Sequence, residues 1–456
     1  MRSIIVGLLL FGLASVIACG GDSGVGDSSN NATVSSNTKG LHIIQVVSQF
    51  DDFGNAIDVD AAGNIYIGGY VGDVLPGHVN VGRIDGFIQK YDSALNEIWT
   101  RQLGTDNNDN VRGIAVSTSG NVYAVGDTIG EFDGFDSEYF GADAFLTAYG
   151  PDGTELWTRQ FGTELGTIAE TVSVDSSENV YVAGYTEGSL PGFSNSGGPS
   201  IGAVKNWNDA FVRKFDNKGN ELWTQQFGHE RHDEIHGSVT DDSGNIFVTG
   251  YTYGEFTGFT NTGGRDLFLR KYDPQGNEVW TKQFGSTSAS GSQPNDKGLG
   301  IALDKRGNTF VVGSSSGKFG GQKSEGINDG FVQMLDGNGE QVWARQFGGD
   351  DDDAAASIGV DSAGNLFIVG TTESQVRGGK GNGLADAFVL SYDSLGNKRW
   401  VRQFGTRRID GGKSIAVDHL GNVYIVGGTE GEISSDVDKG NDRDSDAFLI
   451  RLTDGG

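Results

Sequence analysis

The residues best equipped for chemistry are carboxylates that return at fixed places. One set opens an Asp-x-Phe triplet at Asp85, Asp143, Asp209, Asp266, Asp329, Asp386 and Asp446. A second set comprises Asp52, Asp109, Asp233, Asp296, Asp353 and Asp410, and Thr167 interrupts it. Gathered around one axis, such side chains would hold Ca²⁺ or another hard cation through oxygen ligands. Alternatively, each Asp accepts hydrogen bonds from the backbone N–H groups of its own loop. Repetition in every unit favours this second reading. The acidic runs Asp350–Asp353 and Asp436–Asp446 (DVDKGNDRDSD) offer a further place for Ca²⁺, or are solvated charge; neither matches the EF-hand loop. The stretch HERHDEIH brings His229, His232 and His236 close in sequence, a donor set suited to Zn²⁺ or Ni²⁺. It is not H-E-x-x-H, and no helix there fixes the spacing.

Trp207 stands apart. The other tryptophans (Trp99, Trp157, Trp223, Trp280, Trp343 and Trp400) share one repeated position, whereas Trp207 lies between Asn206 and Asn208 in an extension found in one unit. A loop Trp so placed either stacks on a sugar or peptide, or folds back over its own loop. Phe132, Phe135, Tyr139, Phe140, Phe193, Phe256 and Phe259 crowd comparable loops and read as small satellite cores. G-x-S-x-G, Walker A and paired cysteines are absent. Carboxylate pairs are too numerous to single out a glycosidase or lyase.

The elements that must position these residues follow from self-similarity. A Gly-Asn-apolar-aromatic core recurs, with asparagines at 64, 121, 179, 245, 308, 365 and 422. An I-A-V-D-like run precedes each core; the Asp-x-Phe strand and an E-x-W-x-x-Q-F-G strand follow. Asp-x-x-Gly-Asn turns suit type I turns closed by a left-handed glycine. Each unit therefore predicts four short strands, A to D. Strand B is apolar on both faces, so its sheet needs neighbours on both sides. The expected fold is all-β: a seven-bladed β-propeller of four-stranded antiparallel blades. Six Trp strands serve seven units, so residues 41–50 are expected to supply the last D strand, with Val46 near the Trp position. Closure of that kind removes free edges. The D-to-A and B-to-C connections share one face. They are longer and more variable, and any ligand is expected there.

Composition agrees. Among 456 residues there are 75 glycines and one cysteine, and the net charge is −28. Disulfide scaffolds are excluded, and the charge repels nucleic acid. The repeats resemble the SBBP family of bacterial seven-bladed β-propellers over residues 41–456; the I-A-V-D-x-x-G-N-V-Y-V part also resembles the NHL repeat. The family implies an architecture and no reaction. At the N-terminus, Val16-Ile17-Ala18-Cys19 resembles the lipobox of bacterial lipoprotein signal peptides. That resemblance implies cleavage of 1–18, acylation of Cys19 and anchoring in the cell envelope, with Gly20 leaning towards the outer membrane. Residues 19–40 then read as a flexible tether. The expected protein is a monomeric, lipid-anchored propeller, non-enzymatic, presenting its loop face to a protein or glycan. The alternatives are a metal- or carboxylate-dependent carbohydrate-active enzyme and a calcium-stiffened envelope component.

Overall fold

The computed structural model describes residues 34–38, 41–46, 48 and 50–452, apart from 80, 133, 136–140, 198–206, 288–292, 323, 325, 377, 380, 382, 432 and 434–443. Cys19, Tyr139, Phe140 and most of the 436–446 run lie outside the described residues.

Seven antiparallel sheets form the molecule. Blade 1 is typical: strands A (Asp52–Val59), B (Ile65–Val71), C (Asp85–Tyr91) and D (Glu97–Leu103) lie side by side in chain order. Asp60 shows how the sequence makes the A–B turn. One carboxylate oxygen accepts the N–H groups of Ala62 and Asn64, the other accepts Asn64 Nδ2 at 2.7 Å, and Gly63 takes φ +83°. In blade 3 the left-handed position belongs to Glu178 (φ 63°). Its carboxylate accepts Ser119 N–H and Oγ–H of blade 2, both at 2.9 Å, which offsets the strain.

The A strands Asp52–Val59, Asp109–Val116, Thr167–Val174, Asp233–Thr240, Asp296–Leu303, Asp353–Val360 and Asp410–Val417 pack on one another in sequence, and the last returns to the first. They surround the axis. The hydrophobic core lies between blades. Tyr123, Val125 and Leu146 of blade 2 meet Val180, Val182 and Phe211 of blade 3. Ile57, Ile65 and Ile67 of blade 1 meet Tyr424, Val426 and Leu449 of blade 7.

In blade 7, Leu41–Val46 runs antiparallel to Asp446–Leu452. Two details differ from the sequence reading. The closing strand ends at Val46 rather than at residue 50. Its register places Gln45 opposite Phe448 and His42 opposite Arg451. In blade 1 the matching pairs are Gln102–Phe87 and Trp99–Lys90. His42, not Val46, therefore takes the Trp position, because the repeated Gln rather than the Trp sets the register. Val34–Thr38 also differs from a tether: it pairs with Gln45–Leu41 as a fifth strand and covers what would be an open edge.

Candidate ligand site at the axial mouth

Two structural systems share the loop face. The first is a latch repeated around the ring. The Gln of each Q-F-G segment (Q-L-G in blade 1) donates Nε2–H to the strand-C Asp of its own blade, as Gln102 to Asp85 (2.9 Å) and Gln226 to Asp209 (3.0 Å). Gln45 does the same to Asp446 at 2.6 Å. In blades 1 to 5 the Gln Oε1 also accepts a B–C loop N–H, as from Leu75 (2.9 Å) and Leu190 (2.8 Å). One side chain thus holds a loop to a strand.

The strand-A carboxylates complete the latch. Each accepts the N–H of the residue at its D–A turn: Ser48 to Asp52 (2.6 Å), Thr105 to Asp109 (2.6 Å), His229 to Asp233 (2.6 Å), Ser286 to Asp296 (2.7 Å), Gly349 to Asp353 (2.7 Å) and Thr406 to Asp410 (2.5 Å). Thr167 instead shares a hydroxyl hydrogen bond with Thr186. The backbone N–H of each strand-A residue crosses to the previous blade, as Asp109 to Ile84 O (2.8 Å); Asp52 to Ser445 O (2.6 Å) ties blade 1 to blade 7. The glycine of Q-F-G lies between the two carboxylates. A Cβ on Gly348 would sit 2.6 Å from both Asp329 and Asp353. Burial raises the carboxyl of Asp52 to about 7 and those of Asp109, Asp296 and Asp353 to about 6, against the pull of their hydrogen bonds. The six candidate cation ligands are thus engaged in their own loops.

The second system is a ring in which no two residues match. In every A strand a β-bulge leaves one residue unpaired: Asn55, Arg112, Glu170, His236, Leu299, Ala356 and Lys413. They stand at equivalent places on the innermost strands. Arg112 pairs with Asp127 of its own blade and with Glu170 of the next (3.1 Å). Blades 5 and 6 contribute only Leu299 and Ala356.

Around His236 the ring broadens into a cluster drawn from blades 3, 4 and 5. Glu234 lies opposite Tyr251 in the sheet. Its carboxylate accepts Asn208 Nδ2–H (2.7 Å) and the Tyr251 hydroxyl, and lies 3.3 Å from His236 Nε2. Burial alone would raise this carboxyl, but His236, Tyr251 and Asn208 together hold it down at about 2. His236 stacks on Tyr251 (5.6 Å). Trp207 meets His232 edge-on (4.9 Å), and His232 meets Tyr253 (6.2 Å). Arg265 donates Nε–H to the Tyr253 hydroxyl (2.6 Å) and covers the rings of Tyr251 and Tyr253. Lys297 of blade 5 completes the cluster, its ammonium 5.5 Å from the Tyr251 ring centre.

Of the residues singled out in the sequence, the structure brings Trp207, His232 and His236 into this cluster. It sends His229 elsewhere, against Phe256 (4.8 Å) and Asp233 (3.4 Å). The three imidazoles do not converge, and among the described residues no three His, Cys, Asp or Glu side chains form a metal cradle. Trp207 is half-buried, with the Gly197 backbone against it and its carbonyl bound by Asn195 (3.0 Å), so it both covers its loop and shows an edge. Phe132, Phe193, Phe256 and Phe259 pack into inter-blade cores. The latch Gln, Arg265, Tyr251, Tyr253 and Lys297 were not singled out. The invariant Gln within Q-F-G was the available signal for the latch; the others belong to segments where no motif marks them.

The fold and this face define a seven-bladed β-propeller with one chemically distinct sector. The chain belongs to the SBBP β-propeller repeat family: residues 98–133, 156–191, 222–257, 279–320, 342–375 and 399–433 match that repeat. Each match begins in the D strand of one blade and extends past the B strand of the next, so the sequence unit straddles the blade boundary. The chain is similar to the regulatory protein FlaEY of Caulobacter vibrioides, at 27% identity over 214 residues, 42% of this chain and 22% of that protein. It is similar to an uncharacterized WD repeat-containing protein, L264, of Acanthamoeba polyphaga mimivirus, at 23% identity over 434 residues, 75% of this chain and 31% of that protein. The chain thus spans less than a third of either relative. Among solved structures, the Pan2 WD40 domain of Neurospora crassa superposes with a TM-score of 0.45 at 10% identity, covering 90% of this chain and 98% of that one.

Proposed function

We propose that this propeller is a binding module that receives a protein or glycan ligand at the axial mouth of blades 3 to 5. The supporting observation is the unbroken path of side chains from Trp207 through His232, Tyr253 and Arg265 to Tyr251 and Lys297. Aromatic faces with a few placed polar groups are what a ligand site needs. An acid/base enzyme would want a carboxyl held high beside a base; Glu234, at the centre of the cluster, is held low instead. The raised strand-A carboxylates either lie buried in the latches, as Asp109, or, as Asp58, accept the N–H groups of Val59 and Val116.

We further propose that Cys19 is acylated and anchors the module in the bacterial cell envelope, on the lipobox-like residues 16–19. Expression in a bacterial host with labelled palmitate checks this: label should enter the chain and vanish in Cys19→Ala, and label that survives the substitution rejects the anchor. For the site, a glycan and peptide array is probed with the full chain and with Trp207→Ala. Binding that Trp207→Ala reduces at least ten-fold supports the reading. Binding unchanged by it, or no binding, counts against this sector.

A further inference from the structure

We infer that the mouth between blades 4 and 5 takes a carboxylated saccharide, with Lys297 and Arg265 gripping the carboxylate and the neighbouring rings receiving the sugar. This rests on the binding reading above and names its ligand class. Lys297 is 6% exposed, and a buried ammonium is costly unless a counter-charge meets it. Among the described residues no carboxylate lies within ion-pair distance of it; its neighbour is the Tyr251 face. Among the described residues Arg265 likewise makes no ion pair with a carboxylate: its Nε–H serves Tyr253, which leaves the other donors of its planar fork. The nearest acid, Glu234, is already occupied by Asn208, Tyr251 and His236. Two cations that make no ion pair among the described residues therefore share the Tyr251 ring, on a chain of net charge −28. A guanidinium fork beside an ammonium is the arrangement that recognises a carboxylate. Trp207 and His232, beyond the Arg265-covered ring of Tyr253, are partly exposed and offer ring surface of the kind on which sugars stack.

The groups facing Lys297 are Arg265, Glu234 and Tyr251, with His236 on Glu234. Burial, and then Arg265, lower the Lys297 ammonium to about 8 against the pull of Glu234. Binding should then weaken above pH 8, by about ten-fold at pH 9 relative to pH 7 if the ammonium is required.

Calorimetric titration of the full chain with oligogalacturonate, oligoguluronate and oligoglucuronate provides the test. The comparators are the methyl ester of the galacturonate, a sulfated carrageenan oligomer and the peptide array. At least one free acid should bind, and for oligogalacturonate the ester should be ten-fold weaker or worse. Lys297→Met should lose ten-fold with an unchanged circular dichroism spectrum, as should Arg265→Gln. Lys297→Arg should keep the affinity and abolish the loss at pH 9. If Trp207→Ala weakens a ligand that Lys297→Met and Arg265→Gln leave unaffected, the carboxylate assignment fails while the binding reading stands. A ligand that is sulfated, neutral or a peptide overturns the assignment in the same way. Indifference to all three substitutions, or no binding, overturns both.

Discussion

The latch and the inner ring share every blade, and in six A strands the latch carboxylate stands three residues before the bulge, as Asp52 before Asn55, yet one repeats and the other does not. Gln45, Gln102 and Gln226 do one job with one geometry. Asn55, Arg112, Glu170, His236, Leu299, Ala356 and Lys413 share a backbone position and almost no chemistry. A place that must hold a loop to its blade tolerates one solution. A bulge residue, free of the ladder, can differ in each blade without cost to the sheet. Repetition therefore marks structure in this molecule, and divergence at equivalent positions marks the surface available for a ligand. This also explains why the strand-A Asp set, the most conspicuous pattern in the sequence, turns out to be built into the loops.

The comparison can be broken most severely at the seam. Removing residues 1–46 deletes the Gln45 latch and the buried Ile43, Ile44 and Val46. At about 1.5–3 kcal/mol for each aliphatic side chain, the loss should exceed about 5 kcal/mol and leave Asp446–Leu452 as an open edge. Size-exclusion chromatography should show association instead of a single compact species. A compact monomer would mean that the ring closes without this strand.

Next in size is a single latch far from the candidate site. Gln102→Leu leaves Leu75 N–H without its partner and takes one donor from Asp85, which keeps the N–H groups of Val81 and Gly82. Urea unfolding should report a loss of about 2–4 kcal/mol, because buried polar groups become unsatisfied. Ligand binding should not change.

A smaller effect separates the two systems by pH. The latch carboxyls of Asp52, Asp109, Asp296 and Asp353 are raised, so the folded chain keeps protons that the unfolded chain has released. Their contribution is complete below the unfolded value of 3.8 and is lost as pH rises towards 6 or 7. Glu234 is shifted the opposite way: its contribution is present above 4.5 and is lost as pH falls towards about 2. Thermal melts should therefore show greatest stability at about pH 4–5 and a decline to pH 7. Asp109→Asn should flatten the decline; an unaltered slope would show that the latch carboxyls do not titrate in that window.

The smallest effect should come from the divergent ring itself. Ala356→Ser, at a half-exposed bulge, should change stability by less than about 0.5 kcal/mol in the same urea experiment. A loss as large as that of Gln102→Leu would erase the distinction.

Much of the fold was legible because its signals are local. Asp60, Gly63 and Asn64 make their turn by contacts within a few residues, so reading Asp-x-x-Gly-Asn amounts to reading the structure. Strand B is buried on both faces, and its unbroken apolar run announces that. The latch was half legible: the Asp positions were visible, but their Gln partners lie 17 residues away across a turn. The site was least legible. Trp207 and His232 stood out by rarity and spacing, while Lys297, Arg265 and Tyr251 looked like ordinary strand and loop residues.

From the sequence alone came the number of blades, the order of their strands and the need for a segment before blade 1 to complete blade 7, because turn chemistry and strand periodicity are properties of neighbouring residues. Only the tertiary structure decided that Gln45 and His42 set the register of the closing strand, that His229 parts from His232 and His236, and that Glu234 and Lys297 of different blades share one mouth. Those outcomes depend on where a bulge falls and how two sheets pack across a core, distances that no spacing along the chain encodes.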